Sequence, residues 1–142
     1  MNQVLLKGDT LIRHVVGLAF TPSPELKAIK GLTWANDERH HWYVATREGR
    51  MVACVGLLHR GWEARFKTDA VIPDFRGQGI YRLLFNLREG LAVTLGCTEA
   101  TTFSNVQSRP MYTKAGFTST AKENPNGVLY MRKPFVKRSK SW

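Results

Sequence analysis

Apolar positions along the chain change period several times, and each change marks an element. A short apolar run closes residues 1–6 and reads as a first strand. Asp9 or Thr10 then caps a predicted helix in which Leu11, Val15 and Leu18 share a face. Ser23-Pro24-Glu25 starts a second helix, with a cap residue, a proline at its first position and an acid in its first turn. Leu26 and Ile29 face inward, and Gly31 ends it. Residues 32–41 are polar and irregular. Residues 42–47, 51–60 and 62–71 then read as three antiparallel strands, joined at Glu48-Gly49-Arg50 and near Gly61. Helical spacing returns at Ile80, Leu83, Leu84, Leu87 and Leu91 and runs to about Leu95, before Gly96. Gly90 costs that helix about 1 kcal/mol relative to alanine. Threonine-rich residues 98–103 form a strand that a right-handed crossover can set parallel to 62–71. A short helix over 105–115 ends at Gly116. Residues 117–123 and 128–135 close the chain as a hairpin around Asn124-Pro125-Asn126-Gly127.

This alternation describes one mixed α/β unit, and composition agrees. At 142 residues and 43% hydrophobic, the chain can bury one core as a single domain, residues 1–136, followed by a basic tail over 137–142. The 21 basic residues outnumber the 11 acidic ones for a net charge of +10, which favours anionic partners without naming one. Cys54 and Cys97 have neither metal-ligand spacing nor a disulfide framework. His40 and His41 are adjacent, so they point to different sides of a strand or helix, and no metal site is expected there. Residues 15–20 are too short an apolar run to span a bilayer, and no basic leader opens the chain, so a cytoplasmic location is expected.

Residues 68–84 carry the first chemical signal. Pro73 has no N–H to donate and stops the strand that brings in Asp69, Ala70, Val71 and Ile72. Arg76-Gly77-Gln78-Gly79 then turns into the helix that begins Ile80-Tyr81-Arg82. A helix N-terminus leaves backbone N–H groups unpartnered, glycines let a polyanion approach them, and an arginine adds a charged fork. A diphosphate fits such a seat, although glycines at a strand-to-helix turn can be punctuation alone. No Gly-Lys-Ser/Thr follows, so the turn is not a P-loop. The antiparallel strands before it do not suit a dinucleotide-binding fold.

A second cluster follows the next strand, with Asn105, Ser108, Tyr112, Gly116 and Phe117 in order. Here the sequence resembles the GNAT superfamily of N-acetyltransferases. That family's phosphate signature runs Gln or Arg, two residues, Gly, one residue, then Gly or Ala. Arg76, Gly79 and Tyr81 hold those places, the tyrosine being a departure. Val71 and Pro73 match the family's Val-x-Pro element, and the later motif is matched at each of the five positions above. Together the motifs cover residues 68–117. The resemblance implies a central, mostly antiparallel sheet of about six or seven strands flanked by about four helices, and splayed between the strands ending near Val71 and Ser104. It implies acetyl-CoA as donor, with no metal. Pantetheine would lie beside Ala70, Val71 and Ile72 as an extra strand, and the diphosphate on N–H groups between Gly77 and Arg82, which include Gln78, Ile80 and Tyr81. An amine would attack the thioester directly in a ternary complex.

Within that frame Tyr112 is the candidate general acid for the departing thiolate, or packs under the last hairpin and binds donor through its hydroxyl. Asp69 is the candidate base, or pairs with a neighbouring arginine. Asn105 and Ser108 orient pantetheine or cap the helix, and Tyr81 closes over the donor or packs on the sheet. Glu63, Glu99, His59 and the terminal carboxylate are weaker candidates for the base. Acceptor specificity falls to residues 20–41 and the final hairpin, where Leu32, Trp34 and Trp42 line a pocket or form core. The acceptor is expected to be a small amine or a protein lysine or N-terminus, with aminoacylated transfer RNA the smaller share. A homodimer is compatible with the chain. A protein that binds CoA, nucleic acid or a partner without acetyl transfer is the alternative.

Overall fold

Seven strands form one sheet in sequence order: β1 (Val4–Leu6), β2 (Thr10–Val16), β3 (His40–Arg47), β4 (Arg50–Arg60), β5 (Glu63–Val71), β6 (Glu99–Ser104) and β7 (Leu129–Pro134). The computed structural model describes residues 4–6 and 9–135, so the basic tail lies outside the described residues. Every neighbouring pair is antiparallel except β5 and β6, which the crossover helix makes parallel. Three α-helices are described, α1 (Pro24–Lys27), α2 (Ile80–Thr94) and α3 (Arg109–Lys114), with single 3-10 turns at Gly17–Ala19 and Pro73–Phe75.

Three expectations change. The helix predicted from residue 10 is strand β2. Thr10, Ile12, Val15 and Val16 are β-branched and suit a strand, Thr10 and Ile12 are buried, and Leu11 and Leu18 of the supposed helical stripe are 36% and 70% exposed. Helix α1 begins where expected, with Leu26 N donating to Ser23 Oγ at 3.3 Å, but its cap is Ala28 and it never reaches Gly31. The following loop is tied down instead by Asn36, which donates to Phe20 O and accepts from Trp42 Nε1. In the final hairpin only Thr118 of the first arm pairs, with Arg132. Residues 119–126 are polar and mostly exposed, and with no apolar face to bury they form no strand. The turn itself holds, because Asn124 Oδ1 accepts from Asn126 N and Val128 N.

The splay between β5 and β6 is visible in the register. Their pairing runs from Glu63 with Glu99 to Phe66 with Thr102 and stops. Beyond it β5 stays on β4 as far as Val71 opposite Ala53, while β6 stays on β7 as far as Ser104 opposite Leu129. Thr102 Oγ1 donates to Phe66 O at 2.9 Å at the fork. On the β4 side, Gly56 pairs with Lys67 and Cys54 with Ala70, so Thr68 and Asp69 together oppose Val55. This is a β-bulge, and Thr68 takes the left-handed conformation at φ +57°, unusual for a β-branched residue. Its Oγ1 donates to Thr33 O at 3.1 Å. The extra residue inverts the alternation of side chains. Phe66 and Asp69 therefore both face α2, whereas on the other side Thr68 meets Thr33 of the loop between α1 and β3 and Lys67 meets His40 at the start of β3.

Asp69 meets Arg88, one helical position in the stripe Ile80, Leu84, Arg88, Ala92 that α2 buries on the sheet. The guanidinium is 1% exposed and the carboxylate 7%. Arg88 Nη2 lies 3.0 Å from Asp69 Oδ2, and Nη1 reaches both Asp69 Oδ1 and Gly56 O. Phe66 and Phe85 cover the guanidinium at 4.1 and 4.9 Å from their ring centres. Burial alone would discourage its charge, and Asp69 beside it more than offsets that. Removing one partner strands a buried charge. Arg88→Leu is therefore expected to cost about 3–5 kcal/mol in urea unfolding, and adding Asp69→Asn to recover part of the loss. A cost below about 1 kcal/mol would show that the pair is solvated.

Across β2 and β3, His14 Nε2 lies 3.1 Å from His41 Nδ1 and the rings stack, while His40 turns to the other side of the sheet, toward Asp37. Burial holds both His14 and His41 below the ordinary value of 6.5, and neighbouring histidines add to the effect on His41. The unfolded chain takes up protons first as pH falls. The contribution of the pair to stability is thus complete above pH 6.5 and is lost as pH drops through the lowered folded values. Urea midpoints are expected to fall between about pH 7.5 and about 5.5, and His14→Phe, which keeps a ring on Tyr43, to flatten that slope.

Candidate active site

The fork between β5 and β6 opens into a cleft of about 300 Å³. Asp69 and Tyr112 stand on one wall, Gly31, Leu32 and Thr33 with Lys67 on the other, and Phe103, Asn105 and Ser108 at the β6 end.

The turn into α2 follows the same strand, and Tyr81 in the first turn of α2 reaches Asp69 on the cleft wall. Gly77 and Gly79 adopt φ +78° and +83°, and a Cβ on either would meet nothing within 4 Å. Gly79 is the N-cap, no side chain caps the helix, and the first intrahelical bond is Leu83 N to Gly79 O at 3.2 Å. The amides of Ile80, Tyr81 and Arg82 thus have no intrahelical partner. Ile80 offers its backbone only, its side chain being buried in the core. Arg76 Nε donates to Val71 O at 3.0 Å, which ties the strand end to the turn. Arg47 Nη1 donates to Gln78 Oε1 at 3.1 Å, and its guanidinium lies over Phe75. Open space, an uncapped 15-residue helix and nearby guanidinium groups fit a diphosphate.

Asp69 organises the other wall. Its Oδ2 accepts from Tyr81 Oη at 2.5 Å, Tyr112 Oη at 2.7 Å and Arg88 Nη2, while Oδ1 takes Arg88 Nη1. Four donors occupy the lone pairs of one carboxylate. Asp69 and Tyr112 are thus in direct contact, and of the two readings of Asp69 its pairing with an arginine is realised. Arg88 Nη2 also donates to Tyr112 Oη at 3.2 Å. Burial pushes the Tyr112 hydroxyl well above an ordinary phenol, Arg88 pulls the other way, and the proton is held. Tyr81 is raised too, by burial and by Asp69.

Asn105 and Ser108 bond each other reciprocally. Ser108 N donates to Asn105 Oδ1 at 2.8 Å and Asn105 N to Ser108 Oγ at 3.1 Å, which closes the turn leading into α3 while both residues line the cleft. The weaker candidates go elsewhere. Glu63 pairs with Arg65 and Glu99 with Arg132. The terminal carboxylate is outside the described residues. Trp42 is fully buried against Phe20 and belongs to the core with Trp34, so of the three apolar candidates only Leu32 reaches the cleft.

Three residues were not singled out from sequence. Arg88 lies in the buried register of α2 but reads as an interruption among its leucines. Lys67 alternates correctly in β5, and Arg47 ends β3 with nothing to mark its neighbour across the sheet.

Comparison with known proteins follows the same lines. No curated protein sequence matches the chain. Among solved structures, a Lactobacillus plantarum protein described as an N-acetyltransferase superposes with a TM-score of 0.70 at 16% identity, covering 88% of this chain and 99% of its own. The ribosomal-protein-S18-alanine N-acetyltransferase of Escherichia coli gives 0.67 at 19% identity, covering 83% and 88%. The PaiA N-acetyltransferase of Thermoplasma acidophilum, in complex with coenzyme A, gives 0.60 at 16% identity, covering 68% and 62%. At these identities the likeness is one of fold. The family assignment comes from the sequence, because residues 11–117 match the model of the acetyltransferase (GNAT) family, and the chain belongs to that family.

Proposed function

We propose that the protein is an acetyl-CoA-dependent N-acetyltransferase acting on a primary amine. The observation that supports this most is the fork itself, because an unpaired strand edge and the Tyr112 hydroxyl share one cleft and the same strand runs on to an uncapped helix mouth.

In this reading pantetheine takes the place that β6 vacates beside Ala70, Val71 and Ile72. The diphosphate rests on the amides of residues 77–82. Arg76 keeps Nε on Val71 O and turns its two Nη groups to phosphate, with Arg47 held nearby through Gln78. The neutral amine forms its bond to the thioester carbon, the carbon–sulfur bond breaks, and Tyr112 turns its O–H from Asp69 Oδ2 to give its proton to the departing sulfur. The amine's surplus proton leaves to water, from which Tyr112 is reprotonated. Asp69 acts as a positioning residue that aims Tyr112 and balances Arg88, and the base role is not assigned to it. Asn105 and Ser108 meet the pantetheine amides from the β6 wall. No covalent acyl-enzyme is required.

Tyr112→Phe removes the proton donor but keeps the ring among Phe85 and Phe117. It is expected to lower kcat about 100-fold or more, with the acetyl-CoA Kd changed less than about threefold. Equal kcat in the two proteins, read from thiol release, would remove Tyr112 from the chemistry. Gly79→Glu sets a carboxylate in the open space at the helix mouth, and acetyl-CoA affinity is expected to fall about 100-fold by calorimetry. Gly79→Ala is the control, since it shares the strained φ without the charge. Equal losses in both variants would assign the effect to backbone strain and argue against the seat.

A further inference from the structure

Building on that reading, we infer that the acceptor is a small amine carrying an anionic group, carboxylate or phosphate, which pairs with Lys67. The charged groups lining the cleft are Arg65, Lys67 and Asp69. Asp69 is neutralised by Arg88, and Arg65 is held by Glu63 and by Thr101 Oγ1. Among the described residues no carboxylate lies within ion-pair distance of Lys67. Its Nζ contacts His40 Nε2 at 3.2 Å, and His40 Nδ1 in turn lies 2.9 Å from Asp37 Oδ1. Asp37 itself is bound by Arg39. An ammonium has three donors, and a single imidazole nitrogen engages one of them. Burial works against this charge and lowers the Lys67 pKa, with Arg65 and Arg39 adding to the effect and Asp37 opposing it.

The bulge gives Lys67 its place. Because Thr68 and Asp69 share one register position, Lys67 faces the α1–β3 side while Asp69 faces Arg88 of α2 and Tyr112 of α3, and Lys67, Asp69 and Tyr112 line the same opening. An acceptor whose amine lies near Tyr112 therefore meets a cation on the opposite wall. A second ammonium on the acceptor would meet like charge in a confined space, whereas a carboxylate or phosphate would take up the remaining donors of Lys67. A cleft of about 300 Å³ suits a small acceptor.

The test is acetyl transfer to length-matched series of ω-amino carboxylates, aminoalkyl phosphonates, amino alcohols and diamines. Either anionic series is expected to exceed amino alcohols about tenfold or more in kcat/KM, diamines to be the poorest, and Lys67→Gln to bring the anionic-to-neutral ratio to about one. Lys67→Glu is expected to reverse the order in favour of diamines. The ratio of carboxylate to phosphonate identifies which anion fits. Equal rates for all four series, or a preference that survives Lys67→Gln, would overturn the inference and leave the acetyltransferase reading intact. Calorimetry with the CoA-loaded protein separates the other failure. Lys67-dependent binding of an amino carboxylate without turnover would keep the anion pocket and discard the transferase reading, whereas no binding and no turnover would discard both.

Discussion

One buried carboxylate with four donors decides where the rest of this site can be. Asp69 reaches Arg88, Tyr81 and Tyr112 only because the bulge gives β5 one residue more than β4. In a regular strand Asp69 would point toward the α1–β3 loop and Arg88 would be an uncompensated cation under two aromatic rings. Neither state is tolerable in a protein interior, so the bulge, the ion pair and the left-handed Thr68 stand or fall together. Thr68 shows how the strain is held, with its hydroxyl bonded to Thr33 O on the face that the bulge turns it toward.

The same arrangement explains how a strand can leave its neighbour without fraying. Past Phe66, β5 forgoes β6 and leaves a stretch of unpaired backbone along residues 67–71. Exposed strand edges invite adventitious pairing. Here the free edge faces a cleft, its far side remains zipped to β4, and its end is tied at Val71 by Arg76. The Asp69 network anchors the middle of the segment to α2. The strand is thus rigid on one side and available on the other, which is what a ligand lying as an additional strand requires. The cost of that availability is backbone hydrogen bonds left to water, and the buried network on the α2 side is what the fold offers against it.

Patterning in the chain was informative where one periodicity dominated. Strands β3 to β6 and helix α2 follow directly from their apolar spacing, and the pairing of Gly77 and Gly79 with Arg76 marked the helix mouth. Residues 10–18 defeated the same reasoning because Leu11, Val15 and Leu18 mimic a helical stripe, and the competing alternation of Thr10 and Ile12 is visible mainly once β3 is there to pair. The bulge was illegible for a related reason. A strand read alone has no partner to be out of step with, so regular alternation sets Asp69 on the face opposite Phe66 and leaves its arginine unidentified. Arg88 illustrates the complementary limit, since an arginine inside a helix stripe looks like an interruption until its carboxylate is found across the sheet.

Charge shows how local pairing and global excess separate. Of the 11 acidic residues, seven are in ion pairs with Lys or Arg: Glu25, Asp37, Glu63, Asp69, Glu89, Glu99 and Glu123. Most of the negative charge is therefore cancelled at short range, and the net +10 acts at longer range as a field that draws anions toward the molecule. Such a field does not discriminate between a phosphorylated carrier, a polyanion and an acidic metabolite. Discrimination needs a cation whose partner is missing at a place where a ligand must pass. At the helix mouth that condition is met by bare amides and Arg76, and in the cleft by Lys67, whose contact is an imidazole. The two positions lie at either end of one strand segment, so a single bulged strand would set both where the carrier binds and what its acyl group is passed to.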